Sequence, residues 1–189
     1  MHASTIPTEG ACVADRQGND VSIDRVTGLS IVSLKVARGS LEDARGRLRL
    51  AAPLCVAGSD QRSLWLGPDR WLLVSDSLAS DVIISSCHQA LTGILHNAVD
   101  YSAGLAVLRI SGRSARQLLA TGTGIDLRPV RFPTGSCCRT RLAHIAAVVA
   151  AELTDQFDLY VDRSHATYLT DWLAESASVC SSYGIQAGN

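Results

Sequence analysis

The stretch GLAVLRISGRSARQLLATG, residues 104–122, is where the fold is decided. Leu105 to Ile110 form a continuous apolar run with the length of a buried strand. Ser111-Gly112 then turns the chain into a helix whose Ala115, Leu118 and Leu119 share one face, and Gly122 and Gly124 end it. Residues 30–48, SIVSLKVARGSLEDARGRL, follow the same order. Val32, Leu34 and Val36 alternate as a half-buried strand, Ser40-Leu41-Glu42-Asp43 reads as a helix cap, and a helix follows from Leu41 to about Leu50.

Working outward, Leu64-Trp65-Leu66 and Trp71 to Val74 read as two strands joined by the turn Gly67-Pro68-Asp69-Arg70. After Ser77 or Ser80 as cap, Ile83, Cys87, Ala90, Leu91 and Ile94 fall at helical spacing, and the helix ends near Thr92-Gly93. In the second half a loop with Pro129 and Pro133 leads to strands near 137–142, 145–151 and 157–161. Phe157, Leu159 and Val161 face one way; Asp158 and Tyr160 face the other, which reads as wet. Ser164 then caps a helix with Leu169, Trp172, Leu173 and Ser176 on one face. Residues 67–91 thus match residues 153–176, and each half is strand, helix, hairpin, helix. That order predicts an α+β fold of two pseudo-repeated halves, with helices packed on antiparallel-rich sheets, over a doubly wound parallel sheet. Residues 1–28 read as an extended or disordered N-terminal arm, 29–180 as a single α+β domain, and 181–189 as a C-terminal tail.

Composition narrows the function. The 189 residues carry a net charge of −1 with 47% hydrophobic and 19% charged side chains, so binding of nucleic acid through bulk charge is not expected. No apolar run approaches the roughly 20 residues of a membrane span, and the N-terminus has no basic start followed by an apolar stretch. The expectation is a cytoplasmic protein whose six cysteines, Cys12, Cys55, Cys87, Cys137, Cys138 and Cys180, are reduced and mostly buried.

Motifs that carry chemistry are missing from the sequence. There is no C-x-x-C, neighbouring Cys137 and Cys138 point to opposite faces of a strand, and His88 and His96 flank a helix end. Gly122-Thr123-Gly124 lacks a third glycine and follows a helix, unlike a dinucleotide loop. Lys35, the one lysine, is not adjacent to a glycine-rich phosphate cradle. Ser114 sits in a helix and cannot serve as a nucleophile elbow. Asp100, among apolar residues before a strand, reads as a turn cap through backbone N–H groups. Arginines gather at Arg45, Arg47 and Arg49, at Arg109, Arg113 and Arg116, and at Arg128, Arg131, Arg139 and Arg141; a solvated face is the plain reading of each group, and partner contact the alternative for the last. Trp65 and Trp71 flank a tight turn and suit either a partner anchor or the core. No catalytic, cofactor-binding or metal-binding residue is assigned.

Four stretches carry a resemblance: LWLGPDRWLLV (64–74), VDYSAGLAVLRISGRSARQLLATGTGIDLRP (99–129), FPTGSCCRTRLAHIAAVV (132–149) and FDLYVDRSHATYLTDWL (157–173). In order and spacing the chain from about residue 60 onward resembles the gamma subunits of heterotetrameric sarcosine oxidase. The resemblance implies the fold of the folate-binding domain of glycine-cleavage aminomethyltransferases. Those transferases need an acid on the strand of folate chemistry, and the matching stretch here, Ala143 to Ala150, has none. An apolar strand cannot hold a cationic one-carbon intermediate.

The resemblance further implies a non-catalytic structural subunit among alpha, beta and small delta chains. Flavin oxidation of sarcosine to glycine, with hydrogen peroxide and formaldehyde or methylene-tetrahydrofolate as products, belongs to the others. FAD, FMN, NAD and tetrahydrofolate are expected on those partners and none on this chain. Two rivals stay open: a stand-alone folate-binding or one-carbon transferase domain using Asp100 and His144, and an RNA-binding relative using Arg128, Arg131, Arg139 and Arg141.

Overall fold

The alternation at Val32, Leu34 and Val36 forms β2 (Ser30–Val36), and the computed structural model shows why one face is so apolar: it lies under two helices. The structure describes residues 21–182, with side chains as far as Val179. The elements run β1 (Ser22–Val26), β2, α1 (Leu41–Leu48), β3 (Val56–Ala57), β4 (Gln61–Gly67), β5 (Arg70–Ser75), α2 (Ser80–Ala90) and β6 (His96–Asp100). The second half continues with β7 (Leu105–Ser111), α3 (Ala115–Ala120), β8 (Cys137–Leu142), β9 (Ile145–Leu153), β10 (Gln156–Asp162) and α4 (Ala166–Ser182). The predicted α+β order is present in both halves.

Two five-stranded sheets result, β3-β4-β5-β2-β6 and β1-β7-β10-β9-β8, with every pairing antiparallel. Period-2 alternation divides each strand between two cores. On β2 and β5, Val32, Leu34, Trp71 and Leu73 face Ile83, Cys87 and Leu91 of the α2 segment. On β7 and β10, Leu108, Ile110, Phe157 and Leu159 face Leu118 of α3 and Leu169 and Leu173 of α4. The remaining faces meet each other: Ile31, Leu64, Leu72 and Val74 of one sheet pack on Val107, Val148 and Tyr160 of the other. The architecture is therefore helix, sheet, sheet, helix. One flank is sealed by backbone bonds, Val56 N–H to Gly135 O at 2.7 Å and Cys137 N–H to Leu54 O at 2.9 Å.

The halves also exchange a strand. β1 precedes β2 in sequence but pairs with β7, while β6 precedes β7 but pairs with β2. Of the expected arm over residues 1–28, the described part holds a strand that belongs to the folded body. Ser22–Val26 form an edge strand because Ile23 and Val26 bury their side chains in two different cores, a period too short to stand out beside Asp24 and Arg25. Residues 1–20 lie outside the described residues, as do 183–189 of the expected tail, whose first two residues continue α4. β6, with the polar sequence HNAVD, was not anticipated as a strand.

Helix ends differ in detail. Helix α1 stops at Leu48 because Arg49 adopts the left-handed conformation, φ 51°, and its N–H bonds Arg45 O. The Ser80 hydroxyl does not cap α2; it donates to Asp100 at 2.7 Å. Ahead of α4 it is Asp162, not Ser164, that accepts: Ser164 N–H and Oγ both donate to Asp162 Oδ1, at 2.9 and 2.5 Å. Helix α3 ends at Ala120, and Gly122 just beyond it is required by space, not by a left-handed turn, since a Cβ there would stand 2.4 Å from the Trp172 ring and 2.9 Å from Leu142.

Candidate functional site

The face of β10 expected to be wet is buried. Asp158 and Tyr160 are 0% and 1% exposed because the opposing sheet covers them. A buried carboxylate needs a paired, hydrogen-bonded cation, and Arg109, its register partner on β7, supplies one: Nε donates to Oδ1 at 2.7 Å and Nη2 to Oδ2 at 2.8 Å. Arg109 is thus no member of a solvated patch. Arg62 reaches across from β4 in the other sheet, pairs with Glu152 of β9, lies 3.6 Å from Asp158 and donates to Tyr160 Oη at 3.3 Å.

These groups set one another's ionisation. The hydrogen bonds it donates to Asp158 hold the Arg109 guanidinium more basic than usual, against its desolvation. Burial works against the Arg62 charge, but the fields of Tyr160, Glu152 and Asp158 outweigh it and keep the group firmly protonated. Burial pushes the Glu152 carboxyl above its ordinary range despite Arg62, and the Tyr160 phenol far above its own. The network borders a cleft of about 280 Å³ that also includes Asp60, Asp76 and Gln156. Chemically it is a set of paired charges that ties the sheets together, and Glu152 Oε1, buried beside Arg62, makes no hydrogen bond.

A second opening, about 420 Å³, lies between the sheets at the other ends of the strands. Leu66, Leu72, Leu105 and Val148 line its apolar part, and Arg70 and Arg139 approach from opposite sheets. Asp100 is elsewhere on the same rim, exposed at the end of β6. It accepts from Ser102 Oγ at 2.6 Å, Ser102 N–H at 2.9 Å and Ser80 Oγ at 2.7 Å, which hold its carboxyl below the usual carboxylate range. The turn-cap reading is correct, but the carboxyl expected to be buried among apolar residues is exposed. His144 occupies the β8–β9 turn of the other sheet, where it and Ala143 take positive φ angles of 70° and 49°.

Other singled-out residues are engaged in contacts of their own. Arg116 lies 4.9 Å from the Phe157 ring centre and donates to Thr154 O and Phe132 O, each at 3.0 Å, so it clamps two loops. Arg47 chelates Asp43 and reaches Ala90 O and Thr92 O at 3.2 Å, joining α1 to α2. Arg128 is engaged by Asp126 with Nε–Oδ1 at 2.9 Å. Trp71 is a core residue whose Nε1 donates to Ala51 O at 3.0 Å, whereas Trp65 is half-buried. His88 Nδ1 and His96 Nε2 meet at 2.8 Å. Cys137 points between the sheets and Cys138 toward the helices; burial pushes their thiols up to about 12 and about 11.

Comparison with known proteins now has a geometry to explain. The family model described as sarcosine oxidase, gamma subunit family, matches residues 37–179, well over half of the chain. The chain belongs to the sarcosine oxidase gamma-subunit family. Among its relatives, the sarcosine oxidase subunit gamma of Corynebacterium sp. strain U-96 is 27% identical over 161 residues, covering 84% of this chain and 78% of that protein. That of an Arthrobacter species is 32% identical over 99 residues, half of this chain and 46% of the relative. In structure, this gamma-family chain superposes on a chain of the heterotetrameric sarcosine oxidase from Corynebacterium sp. U-96 with a TM-score of 0.77, 25% identity and 87% of both chains covered. Against the glycine cleavage system aminomethyltransferase of Bartonella henselae the TM-score is 0.60 at 11% identity, over 83% of this chain and 46% of the other, which shows a shared fold. The one acid on β9, Glu152, is taken up by Arg62. Arg62 and Glu152 escaped the sequence reading because nothing local marks them; only the Leu64 and Ala150 neighbours two residues away on the same face hint at burial.

Proposed function

We propose that this chain is the structural gamma subunit of a heterotetrameric sarcosine oxidase and does no bond chemistry of its own. The carrying observation is its superposition on a chain of the heterotetrameric enzyme along nearly the whole length of both. The state of its ionisable groups supports the reading, since Asp158, Glu152, Arg62 and Arg109 neutralise one another. Exposed apolar side chains such as Val130 and Leu153, 83% and 59% accessible, also suit a surface awaiting neighbours. In this reading alpha, beta and delta partners carry FAD, FMN, NAD and tetrahydrofolate and oxidise sarcosine to glycine. The site of action is the cytoplasm, in keeping with the free thiols of Cys55, Cys87, Cys137 and Cys138. Among the described residues no helix is long and apolar enough to cross a membrane.

The test is purification of the tagged full-length chain from its native host. Stoichiometric larger chains, flavin absorbance and sarcosine-dependent peroxide formation are expected. A chain that purifies alone and binds a reduced folate saturably overturns the proposal in favour of the transferase reading.

A further inference from the structure

Strand β6 is the outer edge of its sheet, and its register leaves that edge open. Ala37 N–H donates to Leu95 O, and Tyr101 N–H to Ile31 O. Antiparallel pairing therefore turns the backbone groups of Leu95, Asn97, Val99 and Tyr101 toward β2. Those of His96, Ala98 and Asp100 face outward, where no described strand pairs with them.

The side chains alternate as well. His96 stacks on His88 of α2, and Ala98 packs on the same helical side. Leu95, Asn97 and Val99 consequently point to the other face, and Leu95, Val99 and Tyr101 are 80%, 47% and 42% exposed. An open strand edge with an apolar stripe is a liability that a soluble chain covers or blunts. Next to the stripe, Lys35 has Asn97 as its register partner on one side and Arg70 on the other. Like charges directly opposite each other destabilise a sheet. Arg70 is held by a long ion pair to Asp69 at 3.8 Å, and among the described residues no acid pairs with Lys35.

We propose that β6 is the docking edge for an extended segment of a larger partner subunit. The segment adds a sixth strand along His96–Asp100, lays apolar side chains on Leu95 and Val99, and places a carboxylate at Lys35 and Arg70. This inference rests on the assembly proposed above. The edge supplies backbone bonds, the stripe sets the period of two, and Lys35, beside Arg70 and without an acid of its own, favours an acidic side chain on the partner. A second copy of the chain fits poorly, because antiparallel pairing of β6 with itself would bring two cationic rows to one interface.

The test uses the assembled complex with a photo-crosslinking side chain in place of Asn97, together with the double variant Lys35→Gln, Arg70→Gln. An adduct between this chain and a larger subunit is expected, and the double variant retains at least about tenfold less partner in low-salt co-purification. The control Glu175→Lys on α4 retains the wild-type amount. If the complex forms and the crosslink joins two copies, or no chain at all, the docking edge is refuted while the subunit assignment stands. If no partner accompanies the unmodified chain, both are refuted.

Discussion

Arg109 and Asp158 face each other as register partners on β7 and β10, joined by two parallel hydrogen bonds of 2.7 and 2.8 Å, with the carboxylate wholly buried. Removing one partner of such a pair strands the other in a medium that solvates it badly. Asp158→Ala should destabilise the protein by about 3–5 kcal/mol, measured by denaturant unfolding, because Arg109 and Arg62 both lose it. A loss below about 1 kcal/mol would mean that water reaches the pair.

Gly122 tests packing at the α3–α4 contact. With the Trp172 ring 2.4 Å and Leu142 2.9 Å from the place a Cβ would take, Gly122→Ala must push the indole aside. An overpacking cost of about 1–3 kcal/mol is expected in thermal unfolding, and the double variant Gly122→Ala, Trp172→Leu should recover part of it.

His144 sits at φ 70°, a conformation that side chains avoid and glycine tolerates. His144→Gly should therefore raise stability by about 0.5–1 kcal/mol. Sarcosine oxidation by the complex should be unchanged. Loss of activity would make the imidazole a working group and count against the structural assignment.

Acid should loosen two turns together. Asp100 and Asp162 each accept from the N–H and hydroxyl of the serine two residues on, and these bonds hold both carboxyls below their ordinary value of 3.8. For an acid whose folded pKa is lowered, the stabilisation is complete above the unfolded value and is lost as pH falls through the folded one. Amide exchange at Ser102 and Ser164, corrected for intrinsic rate, should stay slow at pH 5 and accelerate below pH about 3.8. In Asp100→Asn the Ser102 amide should lose that dependence while Ser164 keeps it.

How much could be read in advance follows from how local each cause is. The alternation of Phe157, Leu159 and Val161 announced β10 and the side of it that enters the core, and Gly67 to Arg70 announced the β4–β5 hairpin, because neighbours in sequence carry both patterns. Burial of Asp158 could not be announced that way. It depends on a second sheet brought by residues far away in sequence, with Arg62 arriving from β4. For β1 and β6 the reason differs: each is short, polar in part and stabilised by a partner in the opposite half, so no periodicity within SIDRV or HNAVD betrays it. Asp100 was legible as a cap because its two bonds to Ser102 span only two residues.

The traded strands β1 and β6 give this chain of two similar halves a property that simple tandem repeats lack. Separating it at Gly93 would leave an N-terminal piece without β6 and a C-terminal piece without β1, each short of one rim of its own sheet. The two pieces are interlocked rather than adjoining, so structure should return only when both are mixed. A gene encoding either repeat alone would specify no finished protein.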